Sequence, residues 1–362
     1  MTVVVAVGTR PEAIKMAPVV TALRAVGVEV PIWSIGQHPE ATATALSAFG
    51  LGIDRALPPV ARGSSLSAML SHLTAAVGRA LSDDRPSAIL VHGDTTGALA
   101  AALAAGYAEV PVGHVEAGLR TGDPRAPFPE ELNRRLIDRL ARVWFAPTEV
   151  ARDRLLAEGC DPARIHVTGN PVVDALYQVR EAVRDRPLAS FPDLAGIAGR
   201  VVVVTAHRRE NHGPGLAQII DAAARIAARG ATVVWPVHPS PQVEPVVRAR
   251  LGGVPGVVLT GALSYPTFVR LLLEASVVWT DSGGVQEEAA CLGRPTLVLR
   301  SVTERPEVLS TGVVTLVGTD ADAVMAATID RWASPPVPVP GAAPLGDGRA
   351  GERIAAEIRR WR

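Results

Sequence analysis

The chain has 362 residues, of which 48% are hydrophobic and 20% are charged, and its formal net charge at pH 7 is zero. This length is too great for one domain of ordinary size and suits two. Since basic residues are not in excess, the composition excludes the charge pattern that nucleic-acid-binding and membrane-surface proteins carry.

The cysteines and the apolar runs indicate the cellular compartment in which we expect the protein. Cys160 and Cys291 stand far apart, which is typical of neither a disulfide framework nor a metal-ligand cluster and favours a reducing compartment. The first apolar run lacks a basic segment before it, and no apolar run is long enough to cross a bilayer. We therefore expect a cytoplasmic protein without a membrane partner.

Short runs rich in Val, Ile and Leu alternate with longer, Ala-rich stretches of helical character. Most runs are hydrophobic throughout, which is typical of parallel strands buried on both faces. The repeated strand–helix–strand order predicts an α/β fold with doubly wound parallel sheets. A first set of strands is predicted at residues 3–7, 30–35, 88–92, 110–115 and 143–146, and a second set at 201–205, 232–237, 257–260, 277–280, 295–299 and 313–317.

The two sets of strands are separated by a turn-forming and polar stretch, so we predict a hinge around residues 170–195. The predicted domains are an N-terminal domain at 1–170, a C-terminal domain at 171–345 and a C-terminal helix at 346–362. By analogy with other two-domain α/β proteins, that helix is expected to return to the first domain.

In open α/β sheets a ligand lies beyond the carboxyl ends of the strands, so the loops after the strands carry the candidate site. The first loop starts a helix flanked by Arg10 and Lys15, and such a helix N-terminus suits an anion. A solvated helix start explains these two residues equally well. The loop lacks the Gly-x-Gly-x-x-Gly pattern, so it does not predict dinucleotide binding.

Three carboxylates follow in the first half: Asp94, Glu116 and Glu130. Asp94 has the alternative role of a helix N-cap, and Glu130 or its neighbour Glu131 that of a stabilising acid at a helix start. Glu116 ends an apolar strand, where a carboxylate is costly to bury without a partner, and this favours a functional role. If the three converge, they raise one another's pKa, so that one donates a proton while another accepts.

The second half predicts a phosphate site. Ser282, Gly283 and Gly284 follow a strand and open a helix, which exposes backbone N–H groups. Glu288 lies about a turn and a half further, where a carboxylate can hold ribose hydroxyls, although a helix-start acid is its plainer role.

Four single residues add to that half. His207 titrates near neutral pH, which suits proton transfer or contact with a phosphate, and His238 also ends a strand. Arg305 would bring charge to a diphosphate, and Phe268 would stack on a base, although a core position is more frequent for phenylalanine. The eight histidines lack the spacing of zinc sites, so no metal is predicted.

The chain resembles the UDP-N-acetylglucosamine 2-epimerase family in nine segments, in family order, over residues 3 to about 320. They are GTRPEAIKMAP, VHGDTT, GHVEAGLRTGD, PFPEELNR, FAPTE, TGNPVVDAL, HRREN, TDSGGVQEEA and TERPE. The resemblance implies two Rossmann-like domains facing a central cleft, as in GT-B glycosyltransferases, and a homodimer. It implies no metal and no nicotinamide cofactor.

The resemblance also assigns roles to residues. It implies catalytic positions at Asp94, Glu116, Glu130 and His207, with Arg10 and Lys15 alongside. It implies that the C-terminal domain binds the uridine and the diphosphate, through Phe268, Ser282, Gly283, Gly284, Glu288 and Arg305. We count His238 among the substrate-binding residues, in a His-Pro-Ser-Pro segment where the family has His-Pro-Asn-Pro.

One loop departs from the family. Members that their own substrate regulates usually carry Gln-His-Arg-x-Met after the second strand, and here Gln37 and His38 are followed by Pro39, Glu40 and Ala41. Pro39 removes a guanidinium and a backbone donor, and Ala41 removes a large apolar contact. At this candidate regulatory loop we expect either no activation by substrate or the binding of a different molecule.

The activity that the resemblance implies is reversible epimerisation at C2 of UDP-N-acetylglucosamine, giving UDP-N-acetylmannosamine. UDP leaves, a 2-acetamidoglucal intermediate forms, and UDP adds back. Three alternatives stay open: a hydrolysing 2-epimerase that releases N-acetylmannosamine and UDP, a GT-B glycosyltransferase that uses a UDP-sugar, and a nucleotide-sugar sensor. The sequence leaves open which carboxylate serves which face of the sugar.

Overall fold

The computed structural model describes residues 1–61, 63–125, 127–302, 306–333 and 345–361. The chain divides into two compact units. The first comprises Met1–Ala175 and the segment that begins at Leu345, and the second begins at Leu176. Each unit is built on a parallel sheet flanked by helices, which confirms the predicted α/β fold class.

In the described residues of the first unit, seven strands form a parallel sheet, here called the first sheet, in the order β3-β2-β1-β4-β5-β6-β7. Its strands are β1 (Val3–Val7), β2 (Ile32–Ser34), β3 (Arg55–Ala56), β4 (Ala88–His92), β5 (Val112–Val115), β6 (Val143–Ala146) and β7 (Ile165–Val167). The winding reverses at β1, which pairs with β2 on one side and β4 on the other. Such a switch point is where open α/β sheets bind ligands.

The helices as far as residue 183 are α1 (Arg10–Ala25), α2 (Pro39–Ser47), α3 (Leu66–Asp84), α4 (Thr96–Tyr107), α5 (Glu130–Leu140), α6 (Glu149–Ala157) and α7 (Pro171–Val183). Helix α4 is apolar almost all round because it lies in the core. Its Ala101 packs in one cluster with Ile89 and Val91 of β4 and Val77 of α3.

In the described part of the second unit, six strands form the second sheet, in the order β10-β9-β8-β11-β12-β13. They are β8 (Arg200–Thr205), β9 (Ala231–Pro236), β10 (Val257–Thr260), β11 (Ala275–Thr280), β12 (Thr296–Val298) and β13 (Val314–Leu316). The helices are α8 (Pro214–Ala227), α9 (Glu244–Leu251), α10 (Tyr265–Glu274), α11 (Gly283–Cys291), α12 (Pro306–Leu309) and α13 (Ala321–Ala333). Trp235 and Trp279 are fully buried among the apolar residues of this sheet and its helices.

The last helix, α14 (Ala350–Ile358), belongs to the first unit, where it packs on α1. Asp174 caps it, because the carboxylate accepts hydrogen bonds from the N–H groups of Ala350 (3.1 Å) and Gly351 (2.8 Å). A Cβ at Gly351 would lie 2.8 Å from the Pro18 carbonyl oxygen, so this close approach of α14 to α1 requires glycine.

The predicted strands are all present in the described residues, with ends that differ by at most two residues. Two observed strands, β3 and β7, were not predicted, because they have only two and three residues and leave little pattern. None of the helices in the described ranges is long and apolar enough to cross a membrane.

Candidate active site

Glu116 lies directly after β5 and is 8% exposed. Its Oε1 accepts hydrogen bonds from Lys15 Nζ at 2.5 Å and from Asn170 Nδ2 at 2.8 Å. Lys15, on α1, is also buried, at 7% exposure. Loss of either partner of such a buried ion pair destabilises the protein, because the other charge stays buried without compensation.

The backbone at Glu116 is left-handed, with φ of 67°. This conformation costs a residue with a Cβ about 1–2 kcal/mol, and such strain concentrates at functional sites. Here it ends β5 and lets the carboxylate contact α1 and β4. The strained position of a buried carboxylate supports a functional role for Glu116.

His92, the last residue of β4, lies beside this pair. Its Nε2 is 3.5 Å from Glu116 Oε2. Burial lowers the pKa of His92 to about 3, which outweighs the opposite effect of Glu116, and Lys15 lowers it further. His92 is therefore neutral near pH 7, and Lys15 is the cation that Glu116 contacts.

Asp94 follows β4 and does not cap a helix. Thr95 is the N-cap of α4, with its Oγ1 accepting from the Ala98 N–H at 3.0 Å. The Asp94 carboxylate instead forms an ion pair with Arg134 Nη2 at 2.9 Å. The backbone carbonyl of Asp94 accepts a hydrogen bond from Asn133 Nδ2 at 2.9 Å. Arg134 and Asn133 belong to α5, so this helix is tied to the Asp94 turn.

Glu130 and Glu131 open α5 and differ in their surroundings. Glu131 is fully buried and accepts hydrogen bonds from Arg135 Nε and the Thr121 N–H, both at 3.0 Å. Glu130 is only half-buried. Of the two acids, Glu131 is therefore the one that stabilises the start of α5.

The loops after β4 and β5 meet at the same edge of the first sheet. The Gly93 N–H donates to the Val115 carbonyl at 3.0 Å, and a Cβ at Gly93 would lie 3.4 Å from Glu116 Oε2. Since α5 is tied to the neighbouring Asp94, the turns that carry Asp94, Glu116 and Glu130 are joined by hydrogen bonds.

Glu12 ties the start of α1 to the same edge, and sequence reasoning did not single it out. It accepts from the N–H groups of Gly8 (2.8 Å) and Thr9 (2.7 Å) and from Thr95 Oγ1 (2.8 Å). Burial raises its pKa, although these hydrogen bonds oppose the rise. The first turn of α1, which begins at Arg10, is thereby tied to Thr95, the N-cap residue of α4.

The second unit has its own polar cluster at the ends of β8 and β11. Asp281, just after β11, is fully buried. Its Oδ2 accepts from the N–H groups of His207 (2.9 Å) and Arg208 (2.8 Å) and from Asn211 Nδ2 (2.9 Å). Its Oδ1 lies 3.4 Å from His207 Nδ1. Asp281 therefore organises the whole turn after β8.

The imidazoles of His207 and His238 stack, with their centroids 5.0 Å apart and their planes at 13°. Burial lowers the pKa of His207; Asp281 opposes this, and Arg208, His238 and His212 add to it. Burial also lowers the pKa of His238, again against Asp281. Both rings are therefore mainly neutral near pH 7, so the tautomer of His207 matters.

The turn after β11 has the features of an anion site. Ser282 is the N-cap residue of α11, which begins at Gly283. A Cβ at Gly284 would meet no atom within 4 Å, so packing within the protein does not require glycine here. Its bare backbone leaves room for a ligand at the helix start, where phosphates bind.

The remaining predicted residues of the second unit lie on helices or outside the described ranges. Glu288 is buried on α11. Phe268, on α10, is half-buried and is not a core residue. Arg305 lies outside the described residues.

The candidate regulatory loop starts a helix. The His38 N–H donates to the Gly8 carbonyl at 2.8 Å, and Pro39 is the first residue of α2, a position that suits proline. The Oε1 of Gln37 is buried and takes no hydrogen bond from the described residues. This loop therefore lies against the loop that carries Arg10.

Sequence reasoning missed several partners: Asn170, His92, Arg134 and Asp281. Asn170 lies at the start of the predicted hinge, and its side chain contacts Glu116. Asp281 stands at a strand end directly before Ser282, and this position was the signal available. In the described ranges, no group of three or more His, Cys, Asp or Glu side chains could hold a metal ion.

Parallel sheets with polar clusters at the ends of their strands define an α/β protein of the doubly wound class. A family model described as UDP-N-acetylglucosamine 2-epimerase matches residues 21–359. The UDP-N-acetylglucosamine 2-epimerase of Salmonella typhimurium is 44% identical over 334 residues, covering 90% of this chain and 89% of the relative. The chain belongs to the UDP-N-acetylglucosamine 2-epimerase family.

Solved structures of relatives agree with this membership. The UDP-GlcNAc 2-epimerase of Neisseria meningitidis, bound to UDP-GlcNAc, matches with a TM-score of 0.91 and 36% identity over 99% of this chain and 100% of that one. The enzyme of Methanocaldococcus jannaschii, in complex with UDP-GlcNAc and UDP, matches with a TM-score of 0.86 and 27% identity, again over 99% and 100%.

Proposed function

We propose that the protein is a non-hydrolysing UDP-N-acetylglucosamine 2-epimerase, which interconverts UDP-N-acetylglucosamine and UDP-N-acetylmannosamine. The observation that carries the proposal is Glu116, a buried and strained carboxylate paired with Lys15 and hydrogen-bonded by Asn170. The relatives solved with UDP-GlcNAc support the choice of substrate.

The C2 proton of the sugar is not next to a carbonyl group, so its direct removal would be very slow. In the proposed reaction the C1–O bond breaks first, and its electron pair leaves with the β-phosphate of UDP. A carboxylate then takes the C2 proton, a C1–C2 double bond forms, and 2-acetamidoglucal and UDP result. Proton return to the opposite face, with addition of UDP at C1, completes the epimerisation.

Two faces require two proton carriers, and we assign this work to Asp94, Glu116 and Glu130. Lys15 and Asn170 both donate to Oε1 of Glu116, which fixes the orientation of this carboxylate. The Asp94 carboxylate is held ready by Arg134. Because the three turns are joined by hydrogen bonds, a change in one displaces the others.

We assign the binding of UDP to the second unit, and we keep Arg10 as a separate anion-binding residue at the helix start of the first unit. Donors near a departing diphosphate stabilise the charge that develops on it. The open helix start at Gly284 suits the diphosphate, and the exposed side of Phe268 suits the uracil ring. The proposed set in the second unit is His207, His238, Phe268, Ser282, Gly283, Gly284, Glu288 and Arg305.

We also propose that the protein acts as a homodimer in the cytoplasm. Leu132 and Leu136 are exposed on one face of α5, and Tyr107, at the end of the neighbouring α4, is 86% exposed. Apolar side chains exposed side by side often mark an interface between subunits. Cys160 and Cys291 are both free and buried, which suits a reducing compartment.

The deciding experiment is proton NMR of the protein with UDP-N-acetylglucosamine in deuterated water, without added metal. We expect signals of UDP-N-acetylmannosamine and replacement of the C2 proton by deuterium in both sugars. Accumulation of free N-acetylmannosamine would indicate the hydrolysing reaction instead. Unchanged signals that keep the C2 proton would contradict both.

The variant that tests the role of Glu116 is Glu116→Gln, which keeps the size of the side chain and removes the carboxylate. We expect C2 exchange to fall by about 10²–10⁴-fold, the usual contribution of a general acid or base. Binding of UDP, measured by calorimetry, should stay within about threefold, because the proposed UDP site is in the second unit. Full exchange by this variant would exclude Glu116 as a proton carrier.

A further inference from the structure

The two carboxylate oxygens of Asp281 differ in the number of hydrogen bonds that they accept. Oδ2 accepts three hydrogen bonds, from the N–H groups of His207 and Arg208 and from Asn211 Nδ2. Oδ1 is equally buried but takes no hydrogen bond from the described residues. His207 Nδ1 lies 3.4 Å from Oδ1.

A buried acceptor without a hydrogen bond is costly, and native structures contain few of them. A small shift of the His207 side chain that brings Nδ1 closer by about 0.5 Å would produce an ordinary N–H···O bond. Because Oδ1 can only accept, this bond forms only if Nδ1 carries the proton. A neutral imidazole then has its lone pair on Nε2.

The surroundings of His207 hold the ring for this contact. The ring stacks on His238 at 13°, which sets its plane. His212 Nε2 lies 3.2 Å from the His207 carbonyl oxygen, on the backbone side of the residue. Of the two ring nitrogens of His207, Nδ1 therefore faces Asp281, and Nε2 is the one proposed to contact a ligand.

We propose that Asp281 is a positioning residue that keeps the proton of neutral His207 on Nδ1. Nε2 is then the nitrogen through which His207 accepts a proton or a hydrogen bond from its ligand. The proposal deepens the proposed function and rests on it for the identity of the ligand. It assigns to a single carboxylate two separate tasks, since Oδ2 holds the turn and Oδ1 sets the tautomer.

The direct test is the ¹⁵N NMR spectrum of the imidazoles in the full-length protein, with His207 assigned by comparison with His207→Gln. At about pH 8, where histidine is neutral, we expect His207 to carry its proton on Nδ1. A proton on Nε2 in the wild-type protein would overturn the proposal, whatever any variant does.

The decisive variant is Asp281→Asn. Its amide oxygen can accept the three hydrogen bonds that Oδ2 now accepts, which leaves the NH₂ group facing His207 Nδ1. That group only donates, so Nδ1 must accept and the proton moves to Nε2. We expect the ¹⁵N spectrum to show the inverted tautomer, kcat to fall roughly 10–100-fold and KM to change little, as for other residues that orient a functional histidine.

The matched control is Asn211→Ala. This change removes one donor to Oδ2 and the hydrogen bond to the Leu299 carbonyl, but leaves Oδ1 and His207 in place. We expect a lower melting temperature with the Nδ1 tautomer retained. If this variant also inverted the tautomer, the order of the turn and not Oδ1 would be the cause, and the proposal would be wrong.

The proposal and the proposed function fail in different ways. If the wild-type protein shows the Nδ1 tautomer but no exchange at C2 of UDP-N-acetylglucosamine, the function is wrong and the positioning role stands. If exchange is normal and Asp281→Asn keeps both the tautomer and kcat, the positioning role is wrong and the function stands.

Discussion

Each unit of the protein contains a buried aspartate beside a histidine, and the two pairs differ in how completely they are enclosed. In the first unit, His114 Nδ1 lies 2.6 Å from Asp138 Oδ1, and its Nε2 lies 2.8 Å from the Gly93 carbonyl oxygen. In the second unit, His207 lies 3.4 Å from Asp281, and its side chain is 31% exposed.

We call the first pair closed, because both ring nitrogens of His114 have hydrogen-bond partners within the protein. Both ring nitrogens of His114 face oxygen atoms at hydrogen-bonding distance, the Asp138 carboxylate on one side and the Gly93 carbonyl on the other. Burial acts to raise the pKa of Asp138, but His114 and Arg120 outweigh it, and the pKa is lowered. Arg120 also binds Glu158, at 2.7 Å. No atom of His114 is left for a ligand, so this network serves to hold the Gly93 turn.

The second pair is open, because one edge of His207 is exposed and its hydrogen bond to Asp281 is incomplete. The difference teaches that a His–Asp pair by itself does not mark a functional site. A pair in which every polar atom has a partner stabilises the fold, whereas an incomplete and partly exposed pair can bind and react.

The largest effect on stability should come from Asp138→Asn in the closed pair. The change removes the buried carboxylate that His114 and Arg120 share, although Arg120 keeps its ion pair with Glu158, and breaking such a buried network costs about 3–5 kcal/mol. Urea denaturation measures the loss. The control is Asp153→Asn, an exposed partner of Arg152, for which we expect a change within about 0.5 kcal/mol. Equal losses in both variants would show that the closed network does not stabilise the first unit.

The open pair should give the opposite result. We expect His207→Gln to lower kcat for epimerisation about 10²–10⁴-fold, the range for loss of a general acid or base, and to leave the melting temperature within a few degrees. His114→Gln should lower the melting temperature strongly. If His207→Gln retained full activity, the distinction between the two pairs would fail.

A smaller effect should appear in the pH dependence of stability, through His92. Its pKa in the folded protein is lowered to about 3, below the value near 6.5 of an unfolded histidine. Its contribution to stability is therefore complete above about pH 6.5 and is lost as the pH falls towards 3, with a slope of about 1.4 kcal/mol per pH unit.

The measurement compares urea unfolding of the wild-type protein and His92→Gln at several pH values between about 4 and 7. We expect the variant to lose stability less steeply on acidification, since glutamine does not titrate. Parallel curves for the two proteins would show that His92 takes up its proton in the folded state as easily as in the unfolded one.

Much of the fold follows from local patterns. Runs such as residues 3–7 and 201–205 are apolar throughout and short, so they predict buried parallel strands, and the structure has strands there. The candidate loops are also visible locally, because Glu116 and Ser282 stand where strands end. The two short strands β3 and β7 left no such pattern.

The partners of the site residues depend on strand order, which no local pattern contains. Lys15 contacts Glu116 although the two are 101 residues apart, and Asp281 binds the turn of His207 from 74 residues away. Alternation of apolar and polar residues reports only whether a strand is buried, not which strand lies beside it. The sequence by itself therefore determined most of the elements, apart from the short strands β3 and β7, and the loops that carry the chemistry. The pairing of β1 with β4 and of β8 with β11 decided which charges meet, because long-range contacts form only when the sheets assemble.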